Sequence, residues 1–116
     1  MHELSILVEV VRIVDEMAEQ QHIDSIKTIV LQIGELSSVV PKFLEEYLPY
    51  VVETKPRFKD TTLEIETLPG MAKCQKCQTV FNVVENKGYC PKCNSFDKDL
   101  LCGQEFLIKE ILVPSE

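Results

Sequence analysis

Cys74-Gln-Lys-Cys77 and Cys90-Pro-Lys-Cys93 are two CxxC pairs with 12 residues between them. Two residues between cysteines let both sulfurs of a tight turn reach one ion, with backbone N–H groups of the turn directed at the thiolates. Two such turns supply a tetrahedron of sulfur, the geometry zinc accepts readily. Four thiolates leave no open position for water or substrate, so the site reads as structural and not catalytic. Disulfides would need an oxidising compartment, which the start of the chain disfavours. A rubredoxin-like iron site would use the same ligands, but only Phe81, Tyr89 and Phe96 are at hand to keep it dry. Zinc is therefore favoured. Cys102, the fifth cysteine, reads as a small, partly buried apolar residue and not a fifth ligand.

The second candidate lies at Met1-His2-Glu3. A free terminal amine, the His2 amide nitrogen and the His2 imidazole can chelate one ion through adjacent five- and six-membered rings. Glu3 can add its amide nitrogen or its carboxylate. Such nitrogen-rich, near-planar sets suit Ni(II) or Cu(II) better than zinc. The donors must shed protons, so binding is expected to weaken as pH falls. A histidine at the second position is common, however, and most are ordinary exposed side chains. His22 falls at the end of the first helical pattern, where a cation suits the helix dipole, and reads as a helix-end residue. No Gly-x-Ser-x-Gly and no phosphate-cradling glycine loop is present among the 4 glycines, and no enzyme is indicated.

These residues need elements to position them. Ser5, Glu9, Arg12, Asp15, Glu16 and Glu19 form a polar stripe opposite Leu4, Leu7, Val8, Val11, Val14 and Ala18, which predicts a helix over 4–21. Ser25–Ile33 is rich in β-branched residues and ends at Gly34, a strand and a turn. Pro41 suits the first position of a second helix carrying Val40, Phe43, Leu44, Tyr47, Leu48, Val51 and Val52, and Pro49 should kink or shorten it. A polar stretch runs from Glu53 to Asp60. Thr61–Leu68 alternates as a half-buried strand closed by Pro69-Gly70. Short strands around Val80–Val84 and Gly88–Tyr89 would bring the cysteine turns together, and Glu105–Val113 reads as a last strand.

Composition narrows the class. The 116 residues suit one domain with a small metal-held insertion; 45% hydrophobic and 27% charged residues mark a globular chain. No apolar run approaches the roughly 20 residues of a bilayer-spanning helix, and the Met-His-Glu-Leu start lacks a basic n-region, so a cytoplasmic protein is expected. The net charge of −7 argues against a general nucleic-acid binder. Charge is uneven: residues 1–70 hold 6 basic and 13 acidic side chains, residues 71–98 hold 5 and 2, and residues 99–116 hold 1 and 4. Four thiolates and one Zn(II) would take the formal charge from −7 to −9. Lys73, Lys76 and Lys92 stand close enough in sequence to offset the site's own −2. Two rival readings remain at this level: a zinc-ribbon interaction module touching nucleic acid through Lys73, Lys76, Lys87 and Lys92, and an iron-based electron carrier.

Taken together, Met-His-Glu-Leu-Ser at the start, the Ile33-Gly34-Glu35-Leu36 turn, the two CxxC pairs and Gly103-Gln104-Glu105-Phe106 resemble the HypA/HybF family of nickel metallochaperones for [NiFe]-hydrogenase maturation. The resemblance covers essentially the whole chain. It implies an α+β fold: two helices packed on a small, mostly antiparallel sheet of three strands, with an inserted four-cysteine zinc-ribbon domain. Residues 1–69 and 103–116 would form the nickel-binding domain and residues 70–102 the zinc-binding domain. Met1, His2 and Glu3 would bind Ni(II) as transient cargo, and Cys74, Cys77, Cys90 and Cys93 would hold a structural Zn(II). The implied partners are a nucleotide-hydrolysing nickel-insertion protein and the hydrogenase large-subunit precursor, with urease maturation as a second client for some members. Cys102 before the return-strand glycine, and Pro49 and Pro56 around the end of the second helix, depart from the family pattern.

Overall fold

A computed structural model describes residues 3–115. Helix α1 spans Glu3–Gln20 and helix α2 spans Pro41–Val51; the strands are β1 (Thr28–Gly34), β2 (Thr62–Leu68), β3 (Met71–Cys74), β4 (Val80–Asn82), β5 (Lys98–Cys102) and β6 (Phe106–Leu112). They form two three-stranded sheets, ordered β2-β1-β6 and β4-β3-β5. By contacts, the described residues fall into two compact units. One holds the residues up to Leu31, Val39–Glu66 and the residues from Leu107; the other holds Gln32–Ser38 and Thr67–Phe106. No helix among the described residues is long and apolar enough to cross a membrane.

Helix α1 buries Leu7, Val10, Val11, Val14 and Ala18. Leu4 and Val8 stay about half exposed, at 40% and 50%. The buried stripe is thus rotated from the expected one, with Val10 taken in and Leu4 and Val8 left on the flank. Apolar residues on both flanks of this helix make its 3.6-residue period ambiguous by one position. The helix ends in a left-handed C-terminal motif. Ile23 N–H donates to Ala18 O (2.8 Å) and His22 N–H to Glu19 O (3.3 Å), with His22 at φ 59° in the place glycine usually takes.

Helix α2 buries Leu44 and Leu48, and packs against α1. Pro49 lies within it, two residues before its end, and has no N–H to give the carbonyl of Glu45 one turn earlier. Phe43, in the expected apolar stripe, is 40% exposed. After α2, Pro56–Phe58 makes a 3₁₀ turn that buries Phe58 completely, within a stretch that reads as polar. Arg57 beside it donates to Ile23 O at 2.7 Å and to Glu19 Oε1 at 3.0 Å, and also pairs with Asp15.

Strand β1 is central and buried along nearly its whole length. Lys27 N–H to Leu112 O and Gly34 N–H to Glu105 O, both 2.8 Å, make β1 and β6 antiparallel. Thr62 N–H to Lys27 O (3.0 Å) and Glu35 N–H to Leu68 O (2.8 Å) advance in the same direction, so β1 and β2 are parallel. A parallel neighbour needs a crossover, and α2 supplies it. In the second sheet both pairings are antiparallel: Ala72 faces Phe81 on β4 and Leu100 on β5. A bulge between Met71 and Ala72 adjusts the β5 register.

The expected strand at Gly88–Tyr89 does not form. Lys87 and Gly88 both have positive φ, 54° and 89°, which makes a turn there. The strands that frame the cysteine turns are β3, β4 and β5, of which the sequence pattern shows only β4.

Candidate metal centre

The two CxxC turns repeat one backbone design. In the first, Cys74 N–H donates to Thr79 O (2.8 Å) and Gln78 N–H to Cys74 O (3.0 Å). In the second, Cys90 N–H donates to Ser95 O (2.9 Å) and Asn94 N–H to Cys90 O (2.8 Å). Gln78 and Asn94, each four residues after its first cysteine, take left-handed φ of 68° and 63°. Within each turn an N–H points at the first sulfur: Cys77 N–H at Cys74 Sγ (3.5 Å) and Lys92 N–H at Cys90 Sγ (3.4 Å). Such donors stabilise a thiolate before any ion arrives.

All four sulfurs lie within 4.8 Å of one another. Cys74 Sγ is 3.5 Å from Cys93 Sγ, and Cys77 Sγ is 3.5 Å from Cys90 Sγ. A tetrahedron with zinc–sulfur bonds of about 2.3 Å has sulfur–sulfur edges of about 3.8 Å, so the cluster fits one such ion. The five cysteines are all free thiols. Cys74 and Cys90 are buried with Ala72 and Phe81, and Cys77 and Val83 pack against that cluster. Tyr89 and Phe96 are exposed, 5.1 Å apart by ring centroids, so the apolar wall of the site is Phe81 alone among the three aromatic residues.

The thiols differ in acidity. The Thr79 hydroxyl, 3.1 Å from Cys77 Sγ, and the Thr79 N–H lower Cys77 to about 6. The Cys77 N–H likewise lowers Cys74. At Cys93 the Ser95 N–H pulls downward, but Cys74, burial and the other two thiols outweigh it and push Cys93 up to about 12. Four sulfurs this close cannot all carry charge without a cation among them, because like charges raise one another's pKa. A divalent ion changes that balance, and the cluster can therefore bind one with release of protons.

Thr79 and Ser95 had no part in the sequence reading, although each stands five residues after the first cysteine of its pair, and that repeated hydroxyl was the available signal. Lys73, Lys76, Lys87 and Lys92 are all exposed. Cys102 stands apart from the cluster, with its Sγ 3.5 Å from Pro69 O.

Glu35, in the turn after β1, belongs to the same unit. Its Oε1 accepts from Gly70 N–H at 2.9 Å and from Asn82 Nδ2 at 3.3 Å, and so ties the strand entering the cysteine block to the end of β4. Of the other candidate ligands, Met1 and His2 lie outside the described residues. Glu3 is buried at the start of α1, where its Oε2 accepts the Val40 N–H at 3.0 Å. His22 serves as the helix-end residue.

A small α+β protein with a thiolate metal centre built into a three-stranded ribbon is the class that fold and site define. A family model described as hydrogenase/urease nickel incorporation, metallochaperone, hypA matches residues 1–113. The chain belongs to the HypA family. It is 39% identical over 113 residues to a hydrogenase maturation factor HypA of Trichodesmium erythraeum, covering 97% of this chain and 96% of the relative. It is 35% identical to that of Geobacter sulfurreducens, over 97% of this chain and 99% of the relative. Among solved structures, the solution structure of the Ni metallochaperone HypA from Helicobacter pylori is similar at a TM-score of 0.66 and 25% identity, with each chain covered completely.

Proposed function

We propose that this protein is a nickel metallochaperone for [NiFe]-hydrogenase maturation. It takes up Ni(II) through Met1, His2 and Glu3 and delivers it to the large-subunit precursor. Cys74, Cys77, Cys90 and Cys93 hold a structural Zn(II). The observation that carries the reading is the extent of the family match, residues 1–113, which takes in the Met-His-Glu start and both cysteine pairs at once.

The chemistry agrees with that division of labour. The terminal amine, the His2 amide nitrogen and the His2 imidazole offer a nitrogen-rich set suited to Ni(II). A chelate at a chain end uses few protein ligands and can let its ion go, as delivery requires. The four sulfurs with N–H donors around them form a closed set suited to keeping zinc and holding the short strands together. Residues 1–69 and 103–116 then act as the nickel-binding domain and residues 70–102 as the zinc-binding domain. The protein works by binding and release, not by catalysis. Its partners are a nucleotide-hydrolysing nickel-insertion protein and the hydrogenase precursor, with urease maturation as a further client, all in the cytoplasm.

The test is transfer. Nickel-loaded protein is mixed with purified large-subunit precursor and its nucleotide-hydrolysing partner, and nickel in the precursor is counted after separation. Loaded native protein is expected to raise the precursor's nickel content above that reached with His2→Ala protein at the same total nickel. Equal nickel in both would overturn the delivery role.

A further inference from the structure

The two cysteine turns share a backbone design but not the support around it. The first joins paired strands: β3 ends at Cys74, β4 begins at Val80, and Lys73 faces Val80 across the ladder. The second stands outside any ladder, because no strand or helix forms between Asn82 and Lys98. Their hydroxyl residues also differ. Thr79 Oγ1 lies 3.1 Å from Cys77 Sγ. Ser95, at the matching place in the second turn, has its Oγ bonded to the Asp97 N–H at 3.2 Å, and only its own N–H reaches Cys93 Sγ. Exposure follows the same order: Cys74 and Cys90 are buried, Cys77 is half-buried and Cys93 is exposed.

A hydrogen bond to a metal-bound thiolate draws charge from the sulfur, lowers its nucleophilicity and fixes its direction. Reaction with an outside group also requires access. Thr79 restrains Cys77 and the strand ladder frames it, whereas Cys93 has neither support and faces solvent. We propose that Thr79 is a positioning residue that locks the first cysteine pair, so that the four-thiolate centre opens from the second pair, at Cys93. Cys93 is the arm that an incoming thiolate or imidazole ligand displaces. Its sulfur leaves the ion and takes up a proton, while the donor atom of the new ligand fills the vacated position. The same exposed sulfur is the one a soft electrophile meets first. The inference rests on the four-thiolate zinc reading above and adds to it an order among the sulfurs and a role for a residue outside the ligand set.

Lys73, Lys76, Lys87, Lys92 and Lys98 place each cysteine on a tryptic peptide of its own, so reaction can be read sulfur by sulfur. Zinc-loaded, full-length protein is treated with less than one equivalent of iodoacetamide, which forms a sulfur–carbon bond and expels iodide. The label on each peptide is measured by mass spectrometry, with Cys102 counted apart because it lies outside the cluster. Among the four cluster sulfurs, Cys93 is expected to carry at least about fivefold more label than any other. A chromogenic chelator should take zinc from the treated protein in proportion to the Cys93 label. Thr79→Val removes the hydroxyl and keeps the shape; it should bring Cys77 labelling to within about twofold of Cys93, and Thr79→Ser should restore the native pattern. General loosening of the ribbon would raise all four sulfurs together, so a rise confined to Cys77 is a split that a merely structural role would not give. Even labelling of the four, or Cys77 ahead of Cys93, would overturn the order, and that result needs no variant to fold. Zinc kept in full by Cys93-labelled protein would overturn Cys93 as the arm that opens. Native labelling of Cys77 in Thr79→Val would overturn the role of the hydroxyl. Native protein that holds no zinc after loading would overturn the four-thiolate reading itself, a result obtained before any label is added.

Discussion

Gly34 and Gly103 meet backbone to backbone: a Cβ on Gly34 would fall 2.0 Å from the Gly103 carbonyl oxygen. That oxygen accepts the Leu36 N–H at 2.7 Å, so the turn after β1 and the strand leaving the cysteine block are locked by main chain. Gly103 also has φ 113°, a conformation that L side chains rarely adopt. Gly34→Ala is expected to lower stability by about 1–3 kcal/mol or more, and Gly103→Ala by at least as much because backbone strain adds to overpacking. Urea denaturation of the metal-loaded variants measures both. A loss under about 0.5 kcal/mol in either would mean that the two strands separate at little cost.

Phe58 is fully buried although its neighbours in sequence are Arg57 and Lys59. Phe58→Ala should cost about 3–5 kcal/mol, the usual range for deleting a buried aromatic ring. The check is the same denaturation experiment, with nickel binding of the folded variant as a control. A cost near 1 kcal/mol would show that the 3₁₀ turn can collapse into the space.

The cluster of Ala72, Cys74, Phe81 and Cys90 is small, and two of its four members are metal ligands. Such a core cannot hold three short strands without the ion. Chelation, or Cys74→Ala, is expected to abolish amide protection over β3, β4 and β5 while α1 keeps its helical signal. Protection surviving complete metal removal would contradict a structural role for the site.

Metal uptake by the four cysteines should depend on pH with a definite sign. Cys77 lies at about 6, but Cys93 is pushed up to about 12 and keeps its proton at neutral pH. The ion must displace that proton, so acid competes with metal and affinity falls as pH drops. Titration calorimetry in buffers of different ionisation enthalpy should show proton release on zinc binding at pH 7.5. Affinity should fall steeply between pH 7.5 and 5.5 as Cys77 also becomes protonated. An affinity flat across that range would mean that fewer than four thiolates bind the ion.

Much of this architecture could be read from residues alone, where a strong local pattern exists. The paired CxxC spacing specified a sulfur tetrahedron because two residues between cysteines leave a turn little freedom. Pro41 marked the first residue of α2, and the β-branched run Ser25–Ile33 marked β1, although the strand itself starts only at Thr28. Other features lay beyond local pattern. Strands β3 and β5 are short and mix cysteine with charged residues, so period two is invisible in them. Phe58 is buried through contacts that its own polar segment does not announce. The bonds of Glu3 to Val40 and of Glu35 to Gly70 and Asn82 join positions 35 or more residues apart. A single sequence carries no signal for such pairings.

The central claim is that nickel sits on the chain terminus, and one titration addresses it most directly. Ni(II) is added at neutral pH to tag-free protein of known zinc content, beside a variant extended by one glycine before Met1. The extension moves the free amine away from the His2 chelate ring and leaves every side chain in place. Native protein is expected to bind about one nickel per chain, and the extended protein to lose it. Equal binding by the two, or none by either, would contradict the account.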